Sequence, residues 1–523
     1  MVKGNTQRRS ALNGGVTSSG TAATHSAVGL RSERGPVLLA VMLCVGLVAI
    51  EATIIATAVP SIVADLGGFS SFPWLFSIFL LAQAVSVPIY GKLSDSFGRR
   101  PIMFVGIGLF LLGSVLCGAA WSMPVLIAAR AIQGLGAGAI FPMSMTIVGD
   151  LYSVEERSRV QGYVASVWGI SSVVGPTLGG VFAQYLSWRW IFFVNIPLGF
   201  VAVVMLLRSL HEQVEPRRHR IDYAGATLLV VGFSLLILAL LEGGSAWAWT
   251  SLTGVSIVLT GMLLLIAFVL VERRAAEPVL PLWVFRRRVL VGASAVSFSV
   301  GALLIGLTSY VPTYAQGVLG ADALTAGFAL AAMTMGWPIA ASLAGRLYMR
   351  IGFRNTCLVG TVFLLAGGAG LLTLSAGSQV EEVAAHSFLI GLGLGLTSSP
   401  SLVAVQSVVE WERRGVVTGT NMFARSIGSA LGIAVFGAIA NATLTRRFAE
   451  PPDGLTGDLP SSADDAVLVL DGGNAGGGAL EAFVRSGLAD AAQHVFIGVA
   501  GLAVLTVGAV LLMPRRTEPL NVD

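Results

Sequence analysis

The chain has 523 residues, 55% of them hydrophobic and only 11% charged, with a mean hydropathy of +0.81. A soluble domain carries about 25% charged residues, so this composition excludes one and fits a polytopic membrane protein. The net charge of +4 is no nucleic-acid signature, because the basic residues fall at the ends of apolar runs, as membrane orientation expects. Those runs are continuous over about 20 residues instead of alternating, which excludes an outer-membrane barrel and makes them helices. Cys44, Cys117 and Cys357 all lie within apolar runs and imply neither a disulfide framework nor a metal site.

In chain order, residues 1–35 are rich in Ser, Thr, Gly and Arg and are expected to form a disordered cytoplasmic tail, too polar for a signal peptide. Fourteen transmembrane helices are predicted, at 37–60, 72–93, 101–120, 124–147, 158–181, 190–208, 223–241, 251–271, 289–311, 325–344, 356–375, 385–405, 415–440 and 491–512. Charge orients them. With the N-terminus inside, the internal segments hold most of the arginines, among them Arg99, Arg100, Arg157, Arg217, Arg218, Arg286, Arg350, Arg413 and Arg515. The outer segments hold only Arg189, Arg446, Arg447 and Arg485, so both termini are expected to be cytoplasmic. Trp121, Trp188, Trp190, Trp247 and Trp249 fall in outer loops, at headgroup depth. The segment 441–490, rich in Gly, Pro and Asp, reads as a long external loop in which 466–470 is a candidate short strand.

The basic stretch from Gly91 to Pro101 reads as a tight cytoplasmic loop between two spans. Residues 345–354 echo it weakly: Gly345 and Gly352 are spaced as Gly91 and Gly98 are, and Arg354 matches Arg100, but Met349 stands where Asp95 would be. The first loop follows span two and the second follows span ten. Treating 223–271 as an insertion makes the second loop follow the second span of a second half. The predicted architecture is therefore all-α, with two six-helix bundles and an inserted two-helix hairpin. Its parts are an N-terminal bundle at 36–210, a linker and hairpin at 211–285, a C-terminal bundle at 286–515 and a tail at 516–523. Parallel halves of this kind belong to alternating-access transporters.

Several residues stand out chemically. Glu51 lies within the first span, where an ionised acid costs about 2.5–3.5 kcal/mol on insertion scales, so it should face a partner or a cavity and is a candidate proton carrier. Arg130, in the fourth span, is expected at similar depth, with Gln133 on the same helix face. Gly91, Asp95, Gly98, Arg99 and Arg100 form a candidate gate, in which Asp95 can pair with an arginine or a helix N-terminus of the other bundle. Gly169, Gly175, Pro176, Gly179 and Gly180 give the fifth span close-approach surfaces and a bend. Asn421 and Arg425, one turn apart, are candidates for a cavity wall or an inter-half contact. His386 is a possible secondary proton site, against the plainer reading of an interfacial histidine. No nucleotide-binding loop is present in the sequence, so the expected energy source is an ion gradient.

With these residues in hand, the chain resembles the major facilitator superfamily and, more narrowly, its fourteen-span drug:proton antiporters, the QacA-like and EmrB-like pumps, over about residues 36–515. The resemblance rests on Gly91 to Pro101; on Arg130, Gln133, Gly134, Gly136 and Gly138; on the glycine-proline series of the fifth span; and on the run from Trp188 to Pro197. Glu51 stands where the group usually has Asp, Trp74 matches the second-helix pattern, and Phe79 stands where tyrosine is common. The resemblance implies a proton-relay role for Arg130 and export instead of uptake. The expected function is a proton-coupled antiporter, not an enzyme, that exports hydrophobic or amphipathic compounds from a bacterial inner membrane. The implied partners are protons, hydrophobic or cationic small molecules, and lipids, with no cofactor beyond the proton gradient, no nucleic acid, and a monomeric state. Two alternatives stay open: an exporter dedicated to one endogenous lipid, siderophore or antibiotic, and a non-transporting receptor or scaffold.

Overall fold

In hydrocarbon every backbone N–H and C=O must be satisfied within its own segment, so long apolar runs become helices. The computed structural model describes residues 29–67, 74–210, 212, 222–243, 247–275, 278, 280, 282–321, 323–450 and 477–517. Within them lie α1 (Gly35–Leu66), α2 (Trp74–Phe97), α3 (Arg99–Gly118), α4 (Met123–Leu151), α5 (Val154–Tyr185), α6 (Trp190–Phe193) and α7 (Asn195–Ser209). Next come α8 (Tyr223–Glu242), α9 (Leu252–Glu272), α10 (Arg288–Gly317), α11 (Ala323–Ile351) and α12 (Phe353–Leu372). The last three are α13 (Val380–Ser407), α14 (Arg414–Ala449) and α15 (Gly477–Leu512). Among the described residues, 12 helical stretches are long and apolar enough to cross a membrane, and Tyr223–Ala239 is a shorter apolar one.

The structure departs from the sequence reading in two places, and a third expectation holds with a local interruption. The expected span at 190–208 is present as one membrane-length stretch, Trp190–Ser209, in which Val194 separates α6 from α7. Pro197 explains the break: it has no N–H for the Phe193 carbonyl, and its ring excludes that carbonyl from the helical position. The stretch Gly91–Pro101 is mostly helix. α2 continues to Phe97 and the chain turns at Gly98 alone, at φ 94°, before α3 starts at Arg99. A positive φ of this size is one that glycine adopts without strain. The loop expected at 441–490 is shorter, because α14 runs on to Ala449 and α15 begins at Gly477. A 36-residue helix is about 54 Å long, well beyond a hydrocarbon core of roughly 30 Å; the apolar run marks only the part in lipid. The expected strand at 466–470, the linker at 213–221 and most of both tails lie outside the described residues.

The helices fall into packed groups. α4 sits between α2 and α3, and α1 packs on α5 and α7. In the second part of the chain α11 and α12 pack on α13, while α10 packs on α14 and α15. The two groups meet along α5–α11 and α2–α14. α8 and α9 pack on each other, and α8 also touches α2 and α14, with Ile237 against Leu81, Ala84 and Val85. The corner between α11 and α12 repeats that between α2 and α3: Gly352 precedes its helix at φ 82° as Gly98 does at φ 94°.

Small residues set close backbone crossings, that of α3 with α4 among them. A Cβ on Gly136 would lie 2.3 Å from the Phe110 amide nitrogen, and one on Gly113 would lie 2.5 Å from that of Gln133. Backbone cannot move aside as a side-chain tip can. Gly136→Val is therefore expected to force α3 and α4 apart at an overpacking cost of about 1–3 kcal/mol. It should lower the detergent-solubilised unfolding temperature and the monodisperse yield. Gly108→Ala, on the same helix as Phe110 with open space at the new Cβ, should leave both unchanged; equal behaviour of the two variants would refute the close-crossing argument.

Candidate functional site

Glu51 of α1 is fully buried and ion-paired with Arg130 of α4. One helical turn is enough to place Gln133 on the face of Arg130, and Nη1 of Arg130 also donates to Gln133 Oε1 at 2.7 Å. Its Nε donates to the Leu75 carbonyl at 2.9 Å, and the Phe79 ring lies 4.2 Å from its guanidinium carbon. The phenyl face thus serves the cation where a hydroxyl is absent. Gln133 donates to Ser114 Oγ of α3 at 2.9 Å. On the other side, Asn195 Nδ2 of α7 donates to Glu51 Oε2 at 2.7 Å and approaches Ser114 Oγ at 3.3 Å.

The run from Trp188 to Pro197 delivers Asn195 to this place. Asp65, at the end of α1, accepts from Arg189 at 2.7 Å and from Trp188 Nε1 at 3.0 Å. Those two bonds, Arg189 first, hold the Asp65 carboxyl below the usual carboxylate range. Trp188 packs edge-on against Phe192 and Trp190 against Phe193. The break at Val194 then starts α7 with Asn195 buried beside Glu51. Sequence reasoning quoted this run but missed the role of Asn195 and of Ser114. The signal was available: an amide two residues before a proline, inside an apolar span, needs polar partners.

A buried carboxylate held by a guanidinium and an amide has two chemically distinct states. Ionised, it keeps the ion pair. Protonated, it releases Arg130 to Gln133, the Leu75 carbonyl and the Phe79 face. The Oδ1 of Asn195 is buried without a hydrogen-bond partner, so the amide has acceptor capacity for a carboxyl O–H.

A second assembly lies at the end of the molecule that carries Gly98. Asp95 accepts from the backbone N–H of Gly415 at 2.8 Å and of Val416 at 2.7 Å, at the start of α14. Those N–H groups have no intrahelical acceptor, and a carboxylate there also meets the positive end of the helix dipole. Arg99 pairs with Asp95 at 3.0 Å and with Asp150 at 3.0 Å, donates to the Trp411 carbonyl at 2.6 Å and stacks 3.8 Å from the Trp411 ring. Arg414 pairs with Asp150 at 3.0 Å. Gly91 allows α2 to approach α14, because a Cβ there would lie 2.8 Å from the Gly415 carbonyl oxygen. The Arg99 and Arg100 amides donate to Glu212 at 2.9 and 2.8 Å, closing the start of α3. Further bonds cross at the same end: Gln406 Nε2 to the Met145 carbonyl at 3.1 Å, and the Tyr348 hydroxyl to the Val154 carbonyl. Asp150, Trp411, Arg414 and Glu212 were not singled out from the sequence; nothing local marks a helix-end charge as a cross-molecule partner.

The other candidates are dispersed. Gly175 abuts α1 at Thr53, whose hydroxyl donates to the Ser171 carbonyl at 3.0 Å. Gly169 lies opposite the Thr334 carbonyl of α11, Gly179 is buried, and Gly180 faces open space. α5 remains helical through Pro176. Asn421 is buried between Ser297 Oγ, which donates to it at 2.8 Å, and the Ala293 carbonyl, to which it donates at 3.1 Å. Arg425 lies against Trp337 of α11. Trp74 begins α2, half-buried, and takes no part in the Glu51 network. His386 is on α13, with its ring against Gly370 of α12, in the second helix group and away from Glu51 of the first.

Long apolar helices in two packed groups, with a buried ion pair in one and charged contacts between the two, fit a membrane transporter by class. Residues 41–433 match the Major Facilitator Superfamily, and the chain belongs to that superfamily. It is 35% identical over 427 residues to multidrug resistance protein 3 of Bacillus subtilis, covering 82% of this chain and 83% of that one. It is 34% identical over 446 residues to the multidrug transporter protein MdtP of the same organism, covering 85% and 82%. In fold it is similar to the human organic anion transporter MFSD10, with a TM-score of 0.61 at 16% identity, over 91% of this chain and 99% of that one. The protein is thus a multi-pass transporter related to multidrug-resistance proteins, not an enzyme.

Proposed function

We propose that the chain is a fourteen-span drug:proton antiporter of the QacA-like and EmrB-like group, exporting hydrophobic or amphipathic compounds across a bacterial inner membrane. Two six-helix bundles, α1–α7 and α10–α15, alternate access about a central path, with α8–α9 as an inserted hairpin and both termini cytoplasmic. The observation that carries the reading is the burial of Glu51 against Arg130 and Asn195. A scaffold has no use for an ion pair whose desolvation is so costly; a proton carrier needs one. A proton arriving at Glu51 breaks the pair and turns the Asn195 amide from donor to acceptor, which loosens α1 from α4 and α7.

The Asp95 assembly is the proposed cytoplasmic latch, closed here. Gly91→Ala should prevent its closure, since the added methyl meets a backbone carbonyl and not a side-chain tip. Labelling of a cysteine placed near Trp411 is expected to rise several-fold while export falls; unchanged labelling would remove Gly91 from the latch. The function itself is tested in proteoliposomes with an imposed pH gradient, against a panel of anionic and cationic dyes and lipids. Uphill dye movement that follows the pH gradient supports the reading, and movement indifferent to the gradient refutes it.

A further inference from the structure

Arg425 is the remaining charge in the middle of the molecule, and its surroundings differ from those of every other interior arginine described above. It lies eleven residues into α14 from Arg414, about 16 Å along the helix axis. It is enclosed by protein yet only half-buried, as a side chain on an internal opening would be. Among the described residues its guanidinium forms no hydrogen bond and no ion pair; its partner is the Trp337 indole, 5.0 Å from the guanidinium carbon to the ring centroid. α10, α11 and α14 contain no Asp or Glu anywhere in their length. In α2, α4, α5 and α13 the acids stand only in the first or last turns. Glu51, the acid in the middle of α1, is already held by Arg130 and Asn195. Among the described residues the centre of the protein therefore carries a positive charge with five donors and no protein anion to receive them.

We propose that Arg425 and Trp337 form a subsite for the anionic group of an amphipathic compound: a carboxylate, sulfonate or phosphate on a flat apolar body. A planar guanidinium meets such oxygens with two parallel bonds, and desolvation makes that pairing stronger than in water. Trp337, Trp168 and Phe141 all pack against one apolar cluster that draws on both helix groups, with Trp168 edge-on to Phe141 at 6.1 Å. Aromatic faces of this kind suit the apolar body. A cation would meet the same arginine unscreened, so the subsite selects for acids and against bases. The inference deepens the export reading by naming a substrate class, and rests on it for the direction of movement alone.

The test uses purified full-length protein in nanodiscs and a matched pair of probes, 1-pyrenebutyrate and 1-pyrenebutylamine, which share an apolar body and differ in charge. Binding is read by fluorescence anisotropy with no gradient present. The wild-type protein should prefer the acid by about tenfold or more, the scale of one hydrogen bond to a charged group. Arg425→Gln should remove that preference, and Arg425→Lys should restore part of it. Equal affinity of the wild-type protein for the two probes would overturn the proposal without any variant having to fold. So would a preference that survives in Arg425→Gln. A competition arm with a pyrene-free phosphatidic acid distinguishes a lipid headgroup from a soluble acid as the source: displacement of pyrenebutyrate at stoichiometric lipid assigns the lipid, and no displacement assigns the soluble compound. Acid binding in a protein that moves nothing under a pH gradient would sink the export reading and leave the subsite standing.

Discussion

Glu51→Gln is expected to reduce gradient-driven export to the level of empty proteoliposomes while the protein still folds and binds its compounds. The substitution keeps the shape and keeps an oxygen to accept from Arg130 or Asn195. What it removes is the capacity to alternate between an ion pair and a neutral acid. Removing one partner of a buried pair leaves the other charge uncompensated, at a cost of about 3–5 kcal/mol, but here Gln133, the Leu75 carbonyl and the Phe79 face remain to hold Arg130. The stability loss should therefore fall well short of that figure, and a thermal shift measured beside the flux separates the two effects. Export that stays coupled to the pH gradient in Glu51→Gln would dismiss Glu51 as the proton site. Asn195→Ala provides a companion measurement: it keeps the acid but removes the 2.7 Å bond on its far side, so the pH dependence of export should move while coupling persists.

Asp95→Asn should abolish export by destabilising the closed latch. The carboxylate accepts two backbone N–H bonds from the start of α14 and faces Arg99. A hydrogen bond to a charged group is worth about 1.5–3 kcal/mol. Asparagine can accept one of the two and presents an N–H₂ donor to the other amide, so roughly one such bond is lost. At 1.4 kcal/mol per decade this shifts the closed-to-open ratio by roughly 10- to 150-fold. Distance measurements between spin labels on α2 and α14 should show the cytoplasmic end open in the variant. A closed distribution matching the wild type, or export at wild-type rate, would dismiss the latch. Arg99 would then owe its burial to Asp150, Trp411 and the Ser94 carbonyl alone.

Much of the helix inventory was legible in the sequence, because the length and composition of an apolar run are local properties and the hydrocarbon allows few other structures. The errors were local too. The expected span at 190–208 is present as the 20-residue stretch Trp190–Ser209, whereas the polar end of α2 reads as loop in the sequence although it stays helical to Phe97. There charge suggests a loop, whereas lysine and aspartate at a helix end sit comfortably outside the hydrocarbon. Gly98 and Gly352 show the opposite: glycine spacing in a weak repeat marked two corners whose backbones prove alike.

Site composition was harder to read. Glu51 and Arg130 stood out because an ionised group inside an apolar run is expensive wherever it lies. Asn195, Ser114, Asp150, Trp411 and Arg414 did not, since amides, hydroxyls and helix-end charges are cheap in isolation and gain meaning only from a partner. Asn195 is 144 residues from Glu51, and Gly415 is 320 from Asp95.

The sequence by itself determined that this chain spans a membrane as helices, where those helices run, and that charge is buried within them. Only the tertiary structure decided which charges meet. Helix formation is satisfied within each segment, so it depends on neighbours a few residues away. The meeting of α1 with α4 and α7, and of α2 with α14, depends on how closely glycine-lined surfaces approach, and that is settled by packing between segments far apart in the chain.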